Sequence, residues 1–398
     1  MMSVARTITA TEMHGVNRSA ILDIIRREGP ISRSQIAAEL RVSLPTVMRI
    51  VEELISEELV RPNGKKEFSG GRKRPLLEFN AHEHLTIGVD MGASNLYGAV
   101  ADMAGNILAE HTIRDHKKRG VEIYDLLAAL IEEMLAAANK TGRRIRGIGV
   151  GAPGITYYDE GIVKWAPSLD WRDFPLKQKL QTAFNLPVIL DNDVNLSALG
   201  EMWYGAGQNL KNLVLIIISR GIGAGVIIDG AVYRGSHLTA GEIGYLIPEH
   251  SALGKKWVGA GATESMAAIP GIISRAKREL QGVYPPERIA ALTVDDVFDA
   301  FRKGEAWSQP VIEETIDYLA QVVATVSVCF DPDVIVLSGE IVSFSDILIE
   351  PILRRINGTI PIQPKLVPSS LGHRAAIMGA VVNILHNTSD FYIVRKLT

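Results

Sequence analysis

The 398-residue chain has one cysteine, Cys329, so no disulfide can join two parts of it and no cluster of thiolates is available to a metal. Its nine histidines are scattered, with no spacing that marks a metal site or a catalytic triad; His237, near Glu242 in sequence, is the one worth testing. Long apolar runs are missing too. None approaches the ~20 residues needed to span a bilayer, and the start of the chain has no apolar signal core, so a cytoplasmic location without a membrane partner is expected. Charge of one sign is likewise not in excess. A net charge of −3 excludes a global attraction to nucleic acid or membrane.

The charge is unevenly spread, however. Residues 1–80 hold 13 Lys+Arg against 10 Asp+Glu, and the remainder holds 29 against 35, so the basic excess is local and points to the first segment as a polyanion contact. The length predicts two or three compact units, and an apolar content of 47% is ample for their cores.

Asn17 to Glu28 carries Ile21, Leu22 and Ile25 at helical spacing, and Gly29-Pro30 stops the run. Ser32 with Gln35 three residues on predicts a capping box before Ile36 and Leu40. After Arg41-Val42, Ser43 caps a third helix with Pro45 in its first turn, and Val47, Ile50, Val51, Leu54 and Ile55 form its buried face. Two strands, Leu59 to Arg61 and Leu76 to Phe79, then enclose a basic loop. This is the layout of a winged helix-turn-helix. The third helix would enter a major groove of double-stranded operator DNA by its N-terminal end, presenting Ser43, Pro45, Thr46 and Arg49, while Glu52, Glu53, Glu57 and Glu58 point away from phosphate. Lys65, Lys66, Arg72, Lys73 and Arg74 of the wing would meet phosphate or a narrow minor groove. The plain alternative is a solvated basic loop on a protein-binding module.

From Leu85 the pattern changes to strand, glycine turn, strand, Asp turn, strand, and it recurs about 130 residues later from Leu213, which indicates an internal duplication. Each copy leads into helices and further strands, so two α/β lobes with a cleft between them are expected. The second glycine turn reads Ile218-Ser219-Arg220-Gly221-Ile222-Gly223-Ala224-Gly225. Glycines allow backbone amides to close on an anion, but Arg220 either clamps a phosphate or fills its space. A strand over Pro187–Leu190 ends in Asp191-Asn192-Asp193-Val194-Asn195, where Asp193 opens a helix. An isolated Asp there is most simply an N-cap acid. Four amide and carboxylate side chains within five residues at a strand end also make a set of hydroxyl acceptors and donors of the kind a polyol needs.

The chain resembles the ROK family of sugar-responsive repressors and sugar kinases over essentially its whole length, including the winged helix confined to the repressor branch. The resemblance rests on Asp90-Met91-Gly92, Gly151-Ala152-Pro153-Gly154, Asn192-Asp193 with Ala198-Leu199-Gly200-Glu201, Gly221-Ile222-Gly223 with Ile228-Asp229-Gly230, and Gly241-Glu242-Ile243-Gly244. It implies an α/β fold: a winged helix-turn-helix over residues 1–80, then a duplicated, two-lobed, actin-like and sugar-kinase-like (RNase H-like) domain. The first lobe would cover 81–200, with a C-terminal helix at about 374–388 packing back on it, and the second lobe and dimerisation region 201–398. It also implies that Asn192, Asp193, Glu242 and Glu264 bind sugar hydroxyls, that Pro153 and Gly154 lie against the ring, and that Tyr245 offers one hydroxyl. Asp193 then matches the base of the kinase members.

Three departures matter. Arg220 stands where kinases place a small hydroxyl residue, Ala93 and Asn95 alter the first phosphate turn, and Glu340 puts a carboxylate in the presumed adenosine region. Phosphoryl transfer depends on positioning and electrostatics, so the expectation is no catalytic residue and no kinase activity, with Asp193 a vestigial base and the octapeptide a former phosphate turn that Arg220 plugs or braces. The family's zinc-binding cysteine positions hold Lys255, Trp257 and Ala262, and its histidine position holds Tyr245, so no zinc or other cofactor is expected. Trp257 either fills the vacated volume or stacks on a sugar ring. The resulting expectation is a sugar-responsive transcriptional regulator, a repressor of carbohydrate uptake or catabolism genes, acting as a homodimer or dimer of dimers. The rivals are a ROK-type sugar kinase with a DNA-binding head and a ligand-independent DNA-binding protein.

Overall fold

The structure is a computed structural model that describes the backbone of residues 10–69, 72–92, 95–114, 116–255, 257 and 260–388, with side chains described throughout except at 10–12, 65–69, 72–74 and 386–388. Helix α1 (Ala10–Glu28) begins at Ala10 rather than at Asn17. Helix α2 (Arg33–Leu40) has the capping box: Ser32 Oγ accepts from the Gln35 amide while the Gln35 side chain accepts from Ser32 N at 2.9 Å. Arg41 then takes a left-handed conformation (φ 52°) that turns the chain into α3 (Leu44–Ser56), capped by Ser43 with Pro45 in its first turn. Val47, Ile50, Val51 and Leu54 are buried; Ile55 is only half-buried.

The wing differs from expectation. Strands β1 (Val60–Ser69) and β2 (Arg72–Phe79) pair from Val60↔Phe79 out to Ser69↔Arg72, with a bulge between Pro62 and Lys66. The basic residues therefore lie on strands and not in a loop, because a ladder that accommodates one bulge goes on satisfying backbone groups beyond it. The side chains of Lys65, Lys66, Arg72, Lys73 and Arg74 lie outside the described part of the structure.

Two five-stranded sheets follow, built to one plan. The first comprises β3 (His84–Met91), β4 (Leu96–Asp102) and β5 (Ile107–Ile113) as an antiparallel meander; helix α4 (Gly120–Asn139) then leads to β6 (Arg144–Ala152), parallel to β3. A small sheet of β7 (Ile155–Tyr157), β8 (Ile162–Ala166) and β9 (Trp171–Phe174) and helix α5 (Leu176–Phe184) precede β10 (Val188–Asn192), parallel to β6, and helix α6 (Asp193–Tyr204). The second sheet repeats the meander with β11 (Leu213–Ile218), β12 (Ile222–Ile228) and β13 (Ala231–Val232). Helices α7 (Ala262–Ala267), α8 (Ile269–Glu279), α9 (Pro286–Ala290), α10 (Val294–Arg302) and α11 (Ser308–Phe330) follow. Strand β14 (Val334–Ser338), parallel to β11, helix α12 (Ser345–Ile356), strand β15 (Leu366–Pro368) and helix α13 (Ala375–Thr388) complete the chain. Strand orders β10-β6-β3-β4-β5 and β13-β12-β11-β14-β15 correspond one to one, so the duplication and the two-lobed α/β fold are present. Among the described residues no helix is long and apolar enough to cross a membrane.

The head is seated on the body. Ile21, Leu22, Ile24 and Ile25 of α1 share one buried cluster with Tyr97, Ala99 and Ala101 of β4 and with Ile377, Met378, Val381 and Leu385 of α13. The connecting residues 80–83 are pinned: Asn80 Nδ2 donates to the Glu58 carbonyl (2.8 Å), Met103 N to the Ala81 carbonyl (3.0 Å), and His82 Nδ1 bonds Asp102 (2.8 Å). Arg146 donates from Nε to His84 Nδ1 (3.1 Å) and from Nη2 to the Glu57 carbonyl (2.6 Å), which leaves His84 Nε2–H to donate to the Glu58 carbonyl at 3.0 Å. Burial holds the His84 imidazole below its ordinary pKa, so it stays neutral in this junction.

Helices α6 and α13 touch through glycine. A Cβ at Gly379 would stand 1.8 Å from the Leu196 carbonyl oxygen, and one at Gly200 would stand 2.1 Å from that of Ala375. Gly379→Ala must therefore push the two backbones apart, at a cost of about 1–3 kcal/mol; thermal unfolding should show a lower midpoint than wild type, and an unchanged midpoint would contradict this packing.

Candidate functional site

Strands β3, β6 and β10 end side by side. Their register places Asp90 opposite Gly151 and Gly151 opposite Asp191, so one row of residues crosses the carboxyl edge of the first sheet, where loops of such sheets form clefts. Asn192 then caps α6: its Oδ1 accepts from the Val194 and Asn195 amides (2.9 and 3.1 Å), and its Nδ2 donates to the Gly154 carbonyl at 3.1 Å. That last bond ties the Pro153-Gly154 turn to the start of the helix. Gly154 has φ +83°, and a Cβ there would lie 2.3 Å from the Trp165 carbonyl oxygen, so the turn admits only glycine.

Asp193 occupies the first turn of α6, with Oδ1 accepting from Val194 N at 2.9 Å. Burial first, then the nearby Asp90 and Glu242 carboxylates, raise its carboxyl well above the ordinary range. Asp90 is pushed up to about 7 by burial, and its Oδ1 is buried with no hydrogen-bond partner among the described residues. Across the cleft, Glu242 begins a short 3₁₀ turn, Ile243–Tyr245. Solvent reaches its side chain, yet the surrounding protein and the Glu264 carboxylate hold its carboxyl raised. The exposed Tyr245 hydroxyl is raised by burial of its oxygen and by the Glu242 and Glu264 charges. Asp90, Asp193, Glu242, Glu264 and Tyr245 thus form one electrostatic neighbourhood drawn from both lobes.

The glycine turn holds a different arrangement from the expected one. Arg220 is exposed and makes no hydrogen bond or ion pair with the described residues. The brace is Glu264, whose Oε2 accepts from Ile222 N at 2.9 Å. A Cβ on Gly221 would lie 2.8 Å from the same oxygen, and one on Gly244 3.1 Å from it, so the turn is wrapped around an internal carboxylate. Ser219 Oγ accepts from Glu340 N at 3.0 Å, which joins this turn to the end of β14. Ala93 lies outside the described residues.

Sequence reasoning missed a cross-lobe clamp. Arg234 of the second lobe pairs with the buried Asp191 at the end of β10, and its guanidinium lies 4.3 Å from the ring centroid of Tyr158, which donates to Asn383 Oδ1 on α13 at 3.0 Å. Nothing in the sequence around Arg234 marks it. Tyr157, Tyr158 and His237 line an open cavity of about 460 Å³ beside the clamp. Among the described residues no group of three or more His, Cys, Asp or Glu is placed to hold a metal; Lys255 is exposed, Ala262 is buried, and Trp257 is half-buried with Nε1 lacking a partner.

On the head, Ser43, Pro45, Met48 and Arg49 are exposed at the start of α3. Ser43 and Thr46 share a hydroxyl bond of 2.7 Å, and Arg49 contacts Glu53 and His14, each at 3.0 Å. The acidic end of the helix is used internally: Glu52 pairs with Arg33 (2.8 Å), Glu57 with Arg18 (2.7 Å) and Glu58 with Arg144 (3.6 Å).

Residues 86–386 match the family model described as ROK family, and residues 17–61 match one described as winged helix-turn-helix DNA-binding. A putative xylose repressor from Caldicellulosiruptor sp. is 29% identical over 386 residues, covering 94% of this chain and 97% of its own. A glucokinase from Halalkalibacterium halodurans is 35% identical over 278 residues, covering 67% of this chain and 83% of its own. The crystal structure of a ROK family transcriptional regulator, a homolog of the E. coli MLC protein, superposes with a TM-score of 0.83 at 25% identity, over 95% of this chain and 98% of that one.

The buried acid pair has a pH signature. With its folded pKa near 7 and an unfolded value of 3.8, Asp90 binds more protons in the native state, so its contribution is fully present below about pH 4 and is lost as pH rises through 7. Asp90→Asn should melt above wild type at pH 8, and that advantage should shrink steadily as the pH is lowered towards 4. A gap independent of pH would show that Asp90 is ionised throughout.

Proposed function

Because the chain belongs to the ROK family and carries a winged helix-turn-helix ahead of that domain, we propose that it is a transcriptional regulator whose operator binding responds to a neutral sugar held between its lobes. Residues 1–80 would form the DNA-binding unit, and 81–200 and 201–398 the two lobes, with α6 shared between them. On the head, Ser43, Pro45, Thr46 and Arg49, together with Lys65, Lys66, Arg72, Lys73 and Arg74 of the wing, would contact double-stranded DNA, two copies meeting a two-fold operator.

The observation that carries this reading is the meeting of Asn192 and Asp193 from one lobe with Glu242, Tyr245 and Glu264 from the other, closed by the Pro153-Gly154 turn that Asn192 holds. Hydroxyl groups suit such a set: carboxylates accept, the Asn192 amide and Tyr245 hydroxyl add donors, and a ligand that touches both walls favours one interlobe angle. Four carboxyl groups around one cleft disfavour an anionic sugar phosphate. The same electrostatics argue against phosphoryl transfer. An internal carboxylate occupies the Ile222 amide of the glycine turn, where it would repel a nucleotide phosphate. The repressor name of a relative matched over nearly its whole length agrees, and makes D-xylose the first sugar to try.

Thermal unfolding of the full chain with D-xylose, D-glucose and N-acetylglucosamine is the test. A ligand at 100 times its dissociation constant stabilises by about 2.7 kcal/mol. One of the three should raise the midpoint of the wild type and change its operator affinity; Glu264→Ala should lose both responses while binding operator normally without sugar. ATP turnover that Asp193→Asn abolishes would replace the regulator with a kinase.

A further inference from the structure

Helix α6 begins in the proposed effector cleft and ends on the DNA-binding head. It spans 12 residues, Asp193 to Tyr204, or about 18 Å. Both lobes grip it on the way. A Cβ on Gly225 of β12 would lie 2.6 Å from Ala198 Cβ and from the Val194 carbonyl oxygen, so the second lobe rides directly on its backbone, while Gly200 and Gly379 fix it to α13. Ala198, Leu199 and Met202 share a core cluster with Leu213, Leu215 and Ile227 of the second sheet.

At its far end α6 is held at three points. Glu201 is fully buried and accepts from Ala206 N (2.8 Å), Leu371 N (3.0 Å) and the hydroxyls of Ser369 (2.5 Å) and Ser370 (3.2 Å), which clasps the chain entering α13. Tyr204 donates to the Met103 carbonyl at 2.9 Å. Trp203 presents its ring to α1, where the Arg26 guanidinium lies 3.9 Å from the ring centroid. Asp23 holds Arg26 from its other side, through Oδ1 at 3.1 Å.

We propose that the Arg26–Trp203 contact transmits occupancy of the interlobe cleft to the DNA-binding head, with Trp203 acting as a positioning residue. This rests on the regulator reading and names how that site is coupled. When a sugar draws the lobes together, the second lobe pulls on α6 through Gly225; Gly200 and Gly379 lock α6 to α13, so the two helices shift as one unit and the end of α6 moves under Arg26. Helix α1 supplies much of the head's buried face, so a displacement at Arg26 rocks α3 against its DNA.

The test uses the full chain with Trp203→Ala, the conservative Trp203→Phe, and Arg26→Gln, which alters the head's side of the same contact. Two readouts are compared with D-xylose, D-glucose and N-acetylglucosamine run in parallel: the sugar-induced rise in melting midpoint and the sugar-induced change in operator affinity. Expected for Trp203→Ala and Arg26→Gln is an undiminished midpoint rise with sugar and normal operator binding without it, but a wild-type change of tenfold or more reduced to twofold or less; Trp203→Phe should retain most of the response. Arg26→Gln settles the matter if Trp203→Ala fails to fold. A full affinity response in either of these two variants overturns the coupling and leaves the regulator reading standing. A wild type that responds to none of the three sugars overturns the regulator reading, and the coupling with it.

Discussion

The structure depends on the apolar seat between the helix-turn-helix and the body. Ile21, Leu22, Ile24 and Ile25 are buried in a cluster that runs from Ile36, Val47, Ile50, Val51, Leu54 and Leu77 of the head through to β4 and α13 of the body. Each such side chain, fully buried, contributes about 1.5–3 kcal/mol relative to exposure. The pinned residues 80–83 and the hydrogen-bonded His84–Arg146 pair leave no free tether between head and body. The angle at which α3 would meet DNA is therefore set by the body's packing, and this is what makes an interlobe ligand able to matter to it.

The body repeats one α/β unit, and the repeat places the two glycine turns symmetrically at the edges of its sheets. The two turns have diverged in what they hold. In the second, the Ile222 amide points at Glu264, a side chain of the same lobe, so the backbone geometry of an anion cradle persists around a fixed internal carboxylate. Arg220, the residue whose size and charge suggested a plug, lies in solvent. At the end of β3, Asp90 Oδ1 is buried with no hydrogen-bond partner among the described residues, beside Asp193.

Local features were readable from sequence because they are decided locally. The Ser32–Gln35 capping box, the Ser43 cap with Pro45 behind it, and the repeated strand and turn grammar from Leu85 and Leu213 each follow from a few adjacent residues. The extent of the wing was not readable, since Pro62 and Gly64 look like a strand's end and act instead as a bulge in a longer ladder. Within the cleft, the chemistry of Asp191-Asn192-Asp193 was visible in the string. The approach of Asp90 to Asp193, the pairing of Arg234 with Asp191 and the bond from Ile222 to Glu264 join residues tens of positions apart, and only the packing of strands, loops and helices creates them. The contact of Arg26 with Trp203 belongs to the same class: neither residue carries a motif.

The most direct test of the central claim is a distance measurement between spin labels placed on the head at Glu39→Cys and on the first lobe at Glu122→Cys, in a Cys329→Ser background. A seated head predicts one narrow distance distribution without sugar and one narrow, slightly displaced distribution with it. A broad distribution, the mark of a tethered head sampling many orientations, would contradict the account.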